Sequence, residues 1–200
     1  FLLLFGASML VDLWDRWRQA RPMLRPWMIA GLAVLVGATG FYALSYTSVY
    51  AKTHPAVRAS EWLIKNAESG SFVLKEHWEE SLPNLGRFVH AELPMYDPDS
   101  PRKTQQLSEV LARGDYLVFY SNRLYGTIPR LPERYPASGE YYRLLFSGQL
   151  GYELVHVEST YPELLGVSFV DDTFGRPGVP TPSLAGSPLT VSSVPLNLGF

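Results

Sequence analysis

Two stretches hold most of the residues that could do chemistry. The first, EHWEESLP at residues 76–83, brings Glu76, His77, Trp78, Glu79 and Glu80 into one short segment. A Trp face beside carboxylates suits a sugar, because the apolar ring stacks and the acids accept hydroxyl protons. The same residues also fit a solvated acidic turn with Trp78 folded onto the core. Two carboxylates flanking a sugar would be glycosidase chemistry, but Glu79 and Glu80 are adjacent and nothing places them about a common point. A metal site at Glu76, His77 and Glu80 is a further option, without HExxH or comparable spacing behind it.

The second stretch is NRLYGTIPRLPERYP, residues 122–136. Arg123, Arg130 and Arg134 could clamp a phosphate by fork geometry, and Tyr125 and Tyr135 could stack. The alternative is a structural proline-rich loop whose arginines pair with local acids. No Gly-rich phosphate loop and no GxSxG elbow occurs. The chain has no cysteine, which excludes disulfides, thiolate metal sites and cysteine nucleophiles. Its 17 Lys and Arg against 19 Asp and Glu, with no basic run, argue against a nucleic-acid partner.

Each stretch follows a segment with strand character. Residues 71–75 read as a short buried strand, and residues 115–120, DYLVFY, as the clearest strand of the chain. Weak alternation marks another at residues 87–93. Helices are expected over residues 55–67, capped by Thr53, over 101–113, capped by Ser100, and over 138–148. Further strands are expected at 152–158 and 165–170. The alternation predicts an α/β domain over residues 51–172, a small parallel or mixed sheet with flanking helices. In a parallel sheet both loops leave the same edge, where ligands of open α/β sheets collect. Residues 173–193, dense in Pro, Gly, Ser and Thr, read as a flexible loop, and VPLNLGF after them as the start of a truncated strand.

The domain follows residues 27–50, which carry no formal charge. About 20 apolar residues span a bilayer as a helix. Trp27 at one end and Tyr46 and Tyr50 at the other suit the two interfaces. The alternative is a buried helix of a soluble protein. Arg16, Arg18, Arg21 and Arg25 precede the run, opposed only by Asp12 and Asp15. By the positive-inside rule residues 14–26 form a cytoplasmic loop, and residues 51–200 are extracytoplasmic. Residues 1–13 read as the end of an earlier, truncated membrane helix, which makes the protein a multi-pass one in the cell membrane.

A series of motifs then falls in order: HPAVRASEWLIKN, SFVLKEHWEESLP, DYLVFYSNRLYGTIPRLPERYP and EYYRLLFSGQLGYELV. This series, over residues 50–172, resembles the C-terminal part of bacterial family-39-like glycosyltransferases, polytopic enzymes related to protein O-mannosyltransferases. The resemblance implies a polyprenyl-phosphate sugar donor used at the outer membrane face, with inversion at the anomeric carbon and no cofactor. It places the catalytic carboxylate in a first outer loop near the N-terminus, so no residue here takes that role. Glu76, His77, Trp78, Glu79, Glu80, Arg123, Tyr125 and Arg130 remain as substrate-binding candidates. Glu79–Glu80 stands where the family pattern has Asp–Asp, which keeps the charge and lengthens the reach. Two rivals stand beside this reading: a non-catalytic membrane-anchored binding or sensor domain, and a structural subunit of a cell-envelope assembly.

Overall fold

In a computed structural model of the chain, residues 2–20, 23, 25–170 and 189–192 are described. The uncharged run forms helix α2, Arg25–Thr47, which a 3-10 turn, Ser48–Ala51, extends. Its 23 residues give a length of about 35 Å, against a hydrocarbon core of about 30 Å. Trp27, Val34, Val36 and Leu44 are exposed along it, so the rest of the protein does not cover its apolar surface. Among the described residues it is the one helix long and apolar enough to cross a membrane.

Before it lies α1, Leu2–Ala20. This corrects the expected division into a helix end at residues 1–13 and a loop at 14–26. No Gly or Pro interrupts residues 7–20, so the helix runs on through Asp12, Asp15 and Arg16. Those charges keep α1 from qualifying as a second span, and a multi-pass arrangement is not supported.

The α/β domain begins with α3, Pro55–Asn66. Its cap is the ring of His54, whose Nδ1 accepts from the Ala56 amide at 3.1 Å, in place of the expected Thr53. Strand β1, Phe72–Glu76, is central in a parallel sheet, flanked by β2, Val89–Leu93, and β3, Tyr116–Val118. Period-two alternation sorts its side chains. Val73 joins Leu63, Leu85 and Phe88 on the α3 face. Leu74 joins Leu93, Leu107 and Tyr142 on the other, against α4, Pro101–Leu111, and α5, Pro136–Phe146. The small parallel sheet with flanking helices is therefore the fold expected of this stretch.

Residues 152–158 do not form the expected strand. Arg58 on α3 holds this segment instead, through Glu158 at 2.7 Å and the Ser159 carbonyl at 2.7 Å. Trp62 stacks on His156 at 4.4 Å. The expected strand 165–170 shortens to β5, Val167–Val170, because Leu165–Gly166 makes a hairpin turn back to β4, Glu163–Leu164. Strand β6, Leu189–Ser192, pairs in parallel with β5. It falls inside residues 173–193, which were expected to be flexible. The open edge of β5 offers ladder hydrogen bonds, and Thr190 and Val191 are good strand formers. The rest of that stretch and VPLNLGF lie outside the described residues.

One buried polar cluster joins the two helices on the far face. Ser100 caps α4 as expected. Lys103 is buried, with Nζ 2.8 Å from the Met95 carbonyl, 2.9 Å from Asp99 Oδ1 and 2.7 Å from Ser138 Oγ. Asp99 Oδ2 accepts from the Ala137 and Ser138 amides and so caps α5 from 38 residues away in the chain. Burial alone would raise the Asp99 carboxyl; the Ser138 hydroxyl and Lys103 outweigh it and pull the group below its ordinary range. A lowered carboxylate gives stability that is complete above its unfolded value, about 3.9, and that fades on acidification. Lys103→Met should therefore cost about 3–5 kcal/mol by removing the buried cation that Asp99, Ser138 and the Met95 carbonyl share. Denaturant titration in detergent measures this, and a loss under about 1 kcal/mol would mark the pair as a surface-type contact.

Candidate functional site

Because β1 and β3 are parallel neighbours, with Val73 opposite Tyr116 and Lys75 opposite Val118, the loops that follow them leave one edge. Side chains then join the loops. Glu79 is buried, and the Ser121 hydroxyl donates to its carboxylate oxygens at 2.9 and 3.0 Å. Arg123 Nε lies 3.3 Å from Glu79 Oε1, while its side chain stays 54% exposed. Lys75 Nζ donates to the Glu79 carbonyl at 3.0 Å and pairs with Glu92 at 2.9 Å, tying the loop back to β1 and β2.

Trp78 is 65% exposed and has φ +73°, so it is not folded onto the core. A left-handed backbone at a bulky residue costs about 1 kcal/mol or more, and here it presents the ring to the outside. His77 lies 5.2 Å from that ring. Glu80 is exposed where Glu79 is buried, so the two adjacent acids do not share a site. Arg130 is exposed and ends a 3-10 turn, Ile128–Arg130, whose Ile128 is buried in the core. Tyr125 is buried among Phe119, Tyr142 and Phe146, a core position and not a stacking platform.

Glu76 also differs from its expected place. It is the last residue of β1, not the first of the loop, and it shares the inward face with Leu74. Tyr142 donates to its Oε1 at 2.6 Å, and Oε2 has no partner among the described residues. Burial pushes the carboxyl up to about 8; the Tyr142 hydrogen bond opposes this, and the charge of Glu79 adds to it. Burial and Glu76 together raise the Tyr142 hydroxyl as well. The option of a metal at Glu76, His77 and Glu80 fails on this geometry, since Glu76 is turned into the core. Among the described residues no three His, Asp or Glu converge as a metal ion requires.

The sequence reading missed Ser121, Lys75 and Tyr142. Strand parity was a usable signal for the last: residues 72, 74 and 76 share a face, so Glu76 needed a buried polar partner.

This edge meets the start of α3. His54, a few residues past the 3-10 turn that follows α2, stacks on Tyr120 at 6.2 Å. Ser60 on α3 donates to the carbonyl of Pro83, the last residue of the acidic loop. Beside them a groove of about 550 Å³ runs between β3 and the segment that Arg58 holds away. Trp62, Leu82, Phe119, Tyr120, Leu154 and Val155 give it apolar walls, and it reaches Ser121. Its size is that of a small-molecule site.

No protein-family model, curated protein or solved structure matches the chain. The chemistry is read from the geometry alone.

The Glu76 carboxyl gives a pH test. Between its unfolded value of 4.5 and about 8, the folded chain holds a proton there that the unfolded chain has lost. Stability due to this group therefore falls as pH rises through that window. Glu76→Gln should shrink the difference in melting temperature between pH 5 and pH 8.5. An undiminished difference in the variant would assign the pH dependence to other groups.

Proposed function

We propose that this chain is the C-terminal portion of an integral membrane glycosyltransferase that takes a sugar from a polyprenyl-phosphate donor at the outer membrane face. One observation carries the reading: the loops after β1 and β3 meet, through Glu79, Ser121 and Arg123, at one sheet edge, where Tyr120 stacks on His54 at the start of α3. With α2 in the bilayer and the domain outside it, a lipid-linked donor at that membrane face would present its phosphate and sugar to this edge.

The residues divide by chemistry. The exposed Trp78 face stacks on the sugar, and His77 and Glu80 bond its hydroxyls. Arg123, held by Glu79 and half exposed, meets the phosphate, with Arg130 as a second guanidinium on the same loop. The apolar groove reaching Ser121 suits a ligand with a lipid end. Glu76 and Tyr125, being buried, support the loops from below. In the transfer step the acceptor oxygen bonds to the anomeric carbon while the carbon–oxygen bond to phosphate breaks, and the lipid phosphate leaves with the electron pair. The acceptor proton goes to a base in another part of the intact protein. No metal or cofactor enters this reading.

The arginines at 16, 18, 21 and 25 support a cytoplasmic N-terminal side and an extracytoplasmic domain. Reporter fusions at Gln19 and Asn84 should report opposite sides of the membrane; the same side for both sinks the topology.

Residues 1–200 in nanodiscs should bind a polyprenyl-phosphate hexose with a change in Trp fluorescence, and should transfer no sugar. Trp78→Ala should abolish that change. Arg123→Ala should lose a charge-assisted bond of about 1.5–3 kcal/mol, roughly ten- to hundredfold in affinity, while the domain, with Ser121 still bonded to Glu79, stays folded. Absence of binding by the parent chain, or equal binding by both variants, overturns the assignment. Binding of the sugar-free lipid phosphate as tightly as the donor would favour an anchored binding domain.

A further inference from the structure

The β4–β5 hairpin has features that the substrate-facing edge does not use. Its two turn residues, Leu165 and Gly166, both have positive φ, +50° and +80°, between the paired Leu164 and Val167. That is the pattern of a type I′ turn, whose first position normally takes Asn, Asp or Gly. Here it is a leucine, and it is 87% exposed. Neither the turn's backbone nor packing within the protein accounts for a leucine at this position.

The hairpin is fastened to the last turns of α2. The Phe169 ring meets Tyr42 at 5.0 Å and Phe41 at 6.1 Å. The Glu163 amide donates to Ser48 Oγ at 2.9 Å, and its carboxylate pairs with Lys52 at 3.0 Å. Leu165 is two residues from Glu163, at most about 7 Å of strand. The turn therefore lies within about 7 Å of the residue held at the end of α2, where Leu44, Tyr46 and Tyr50 are exposed as well. Tyr is a residue of the lipid–water boundary.

We propose that the tip of the β4–β5 hairpin, through Leu165, inserts into the lipid interface beside α2. The inference rests on α2 crossing the membrane. A bilayer fits the tip better than a protein does. One leucine next to a glycine is too small a patch for a stable protein interface, whereas a single apolar side chain gains fully from lipid. Lys52 and Glu163 then lie at the headgroup level. With α2 as one fixed point, the hairpin is a second. It stops the domain turning about the helix and sets the height of Trp78 and Arg123 above the membrane.

The chain has no cysteine, so Leu165→Cys gives a unique labelling site for an environment-sensitive fluorophore. Val36→Cys on α2 and Gln105→Cys on α4 are the lipid and water controls. In phosphatidylcholine–phosphatidylglycerol liposomes, a spin label high on the acyl chain should quench the Leu165 probe at least twofold more than the Gln105 probe. If Val36 is quenched and Leu165 behaves as Gln105 does, the hairpin proposal fails while the membrane helix stands. A blue-shifted Leu165 probe that spin-labelled lipid does not quench means a protein covers the tip, and also overturns it. A Val36 probe that a spin label deep on the acyl chain also fails to quench removes the membrane reading and the proposal with it.

Discussion

The parallel pairing of β1 with β3 is the constraint on which the candidate site depends. Val73 opposite Tyr116 and Lys75 opposite Val118 fix both strand direction and register. Had the pair been antiparallel, the two loops would stand a strand length apart, on the order of 17 Å. The Glu79–Ser121 and Glu79–Arg123 contacts would then be out of reach. Parallel neighbours need a crossover, and here β2 and α4 lie between them in the chain. Asp99, Lys103 and Ser138 lock α4 to α5. α5 in turn supplies Tyr142 to Glu76. The far-face polar cluster thus supports the loop edge through two helices and one strand.

Two glutamates three residues apart have opposite surroundings. Glu76 ends a strand on its inward face, meets one phenol and holds its proton into the neutral range. Glu79 turns across to Ser121 and Arg123. A second charge at Glu76 would sit beside that of Glu79 in a poorly solvated space, which is one cause of its raised affinity for a proton. Keeping Glu76 neutral leaves Glu79 free to hold Arg123, and Arg123 remains half exposed for an anion.

Local chemistry was legible in the sequence, and long-range partnerships were not. Ser100 and Pro101 announce α4 because a cap and an N-terminal proline act within one turn. Residues 71–75 and 115–120 announce β1 and β3 by composition. The joint edge followed once a parallel sheet was assumed. His54 escaped as a cap because a histidine ring serves there less often than Thr53's hydroxyl type would. The loss of strand 152–158 depends on Arg58, about a hundred residues earlier, and no periodicity records that. Leu165 read as a strand residue because its type favours one; only its left-handed backbone shows the turn. Strand β6 was hidden in a Pro- and Ser-rich stretch since its partner, the edge of β5, is supplied by the tertiary fold. Nothing local marks Lys103 as buried, because Ser138, which helps Asp99 to enclose it, stands 35 residues away in the chain.

The groove beside β3 follows from the same missing strand. Had residues 152–158 paired with β3, ladder hydrogen bonds would have closed that edge. Arg58 instead takes Glu158, Ser159 and Thr160, and Trp62 takes His156, so the segment stands off along α3. At the start of the segment the Tyr152 hydroxyl donates to the carbonyls of Leu111 and Gly114. Gly114 leaves the space for this, since a Cβ there would come within 2.6 Å of the Tyr152 hydroxyl. The slot that remains has apolar walls from Trp62, Leu82, Phe119, Leu154 and Val155, with polar groups at His156, Glu158 and Thr160 and again at Ser121, which bonds Glu79. An amphipathic ligand entering from the α2 side finds both surfaces in one approach. That match of a largely apolar slot to a charged edge is the physical reason to favour a ligand with a lipid end, a phosphate and a sugar over a purely polar one.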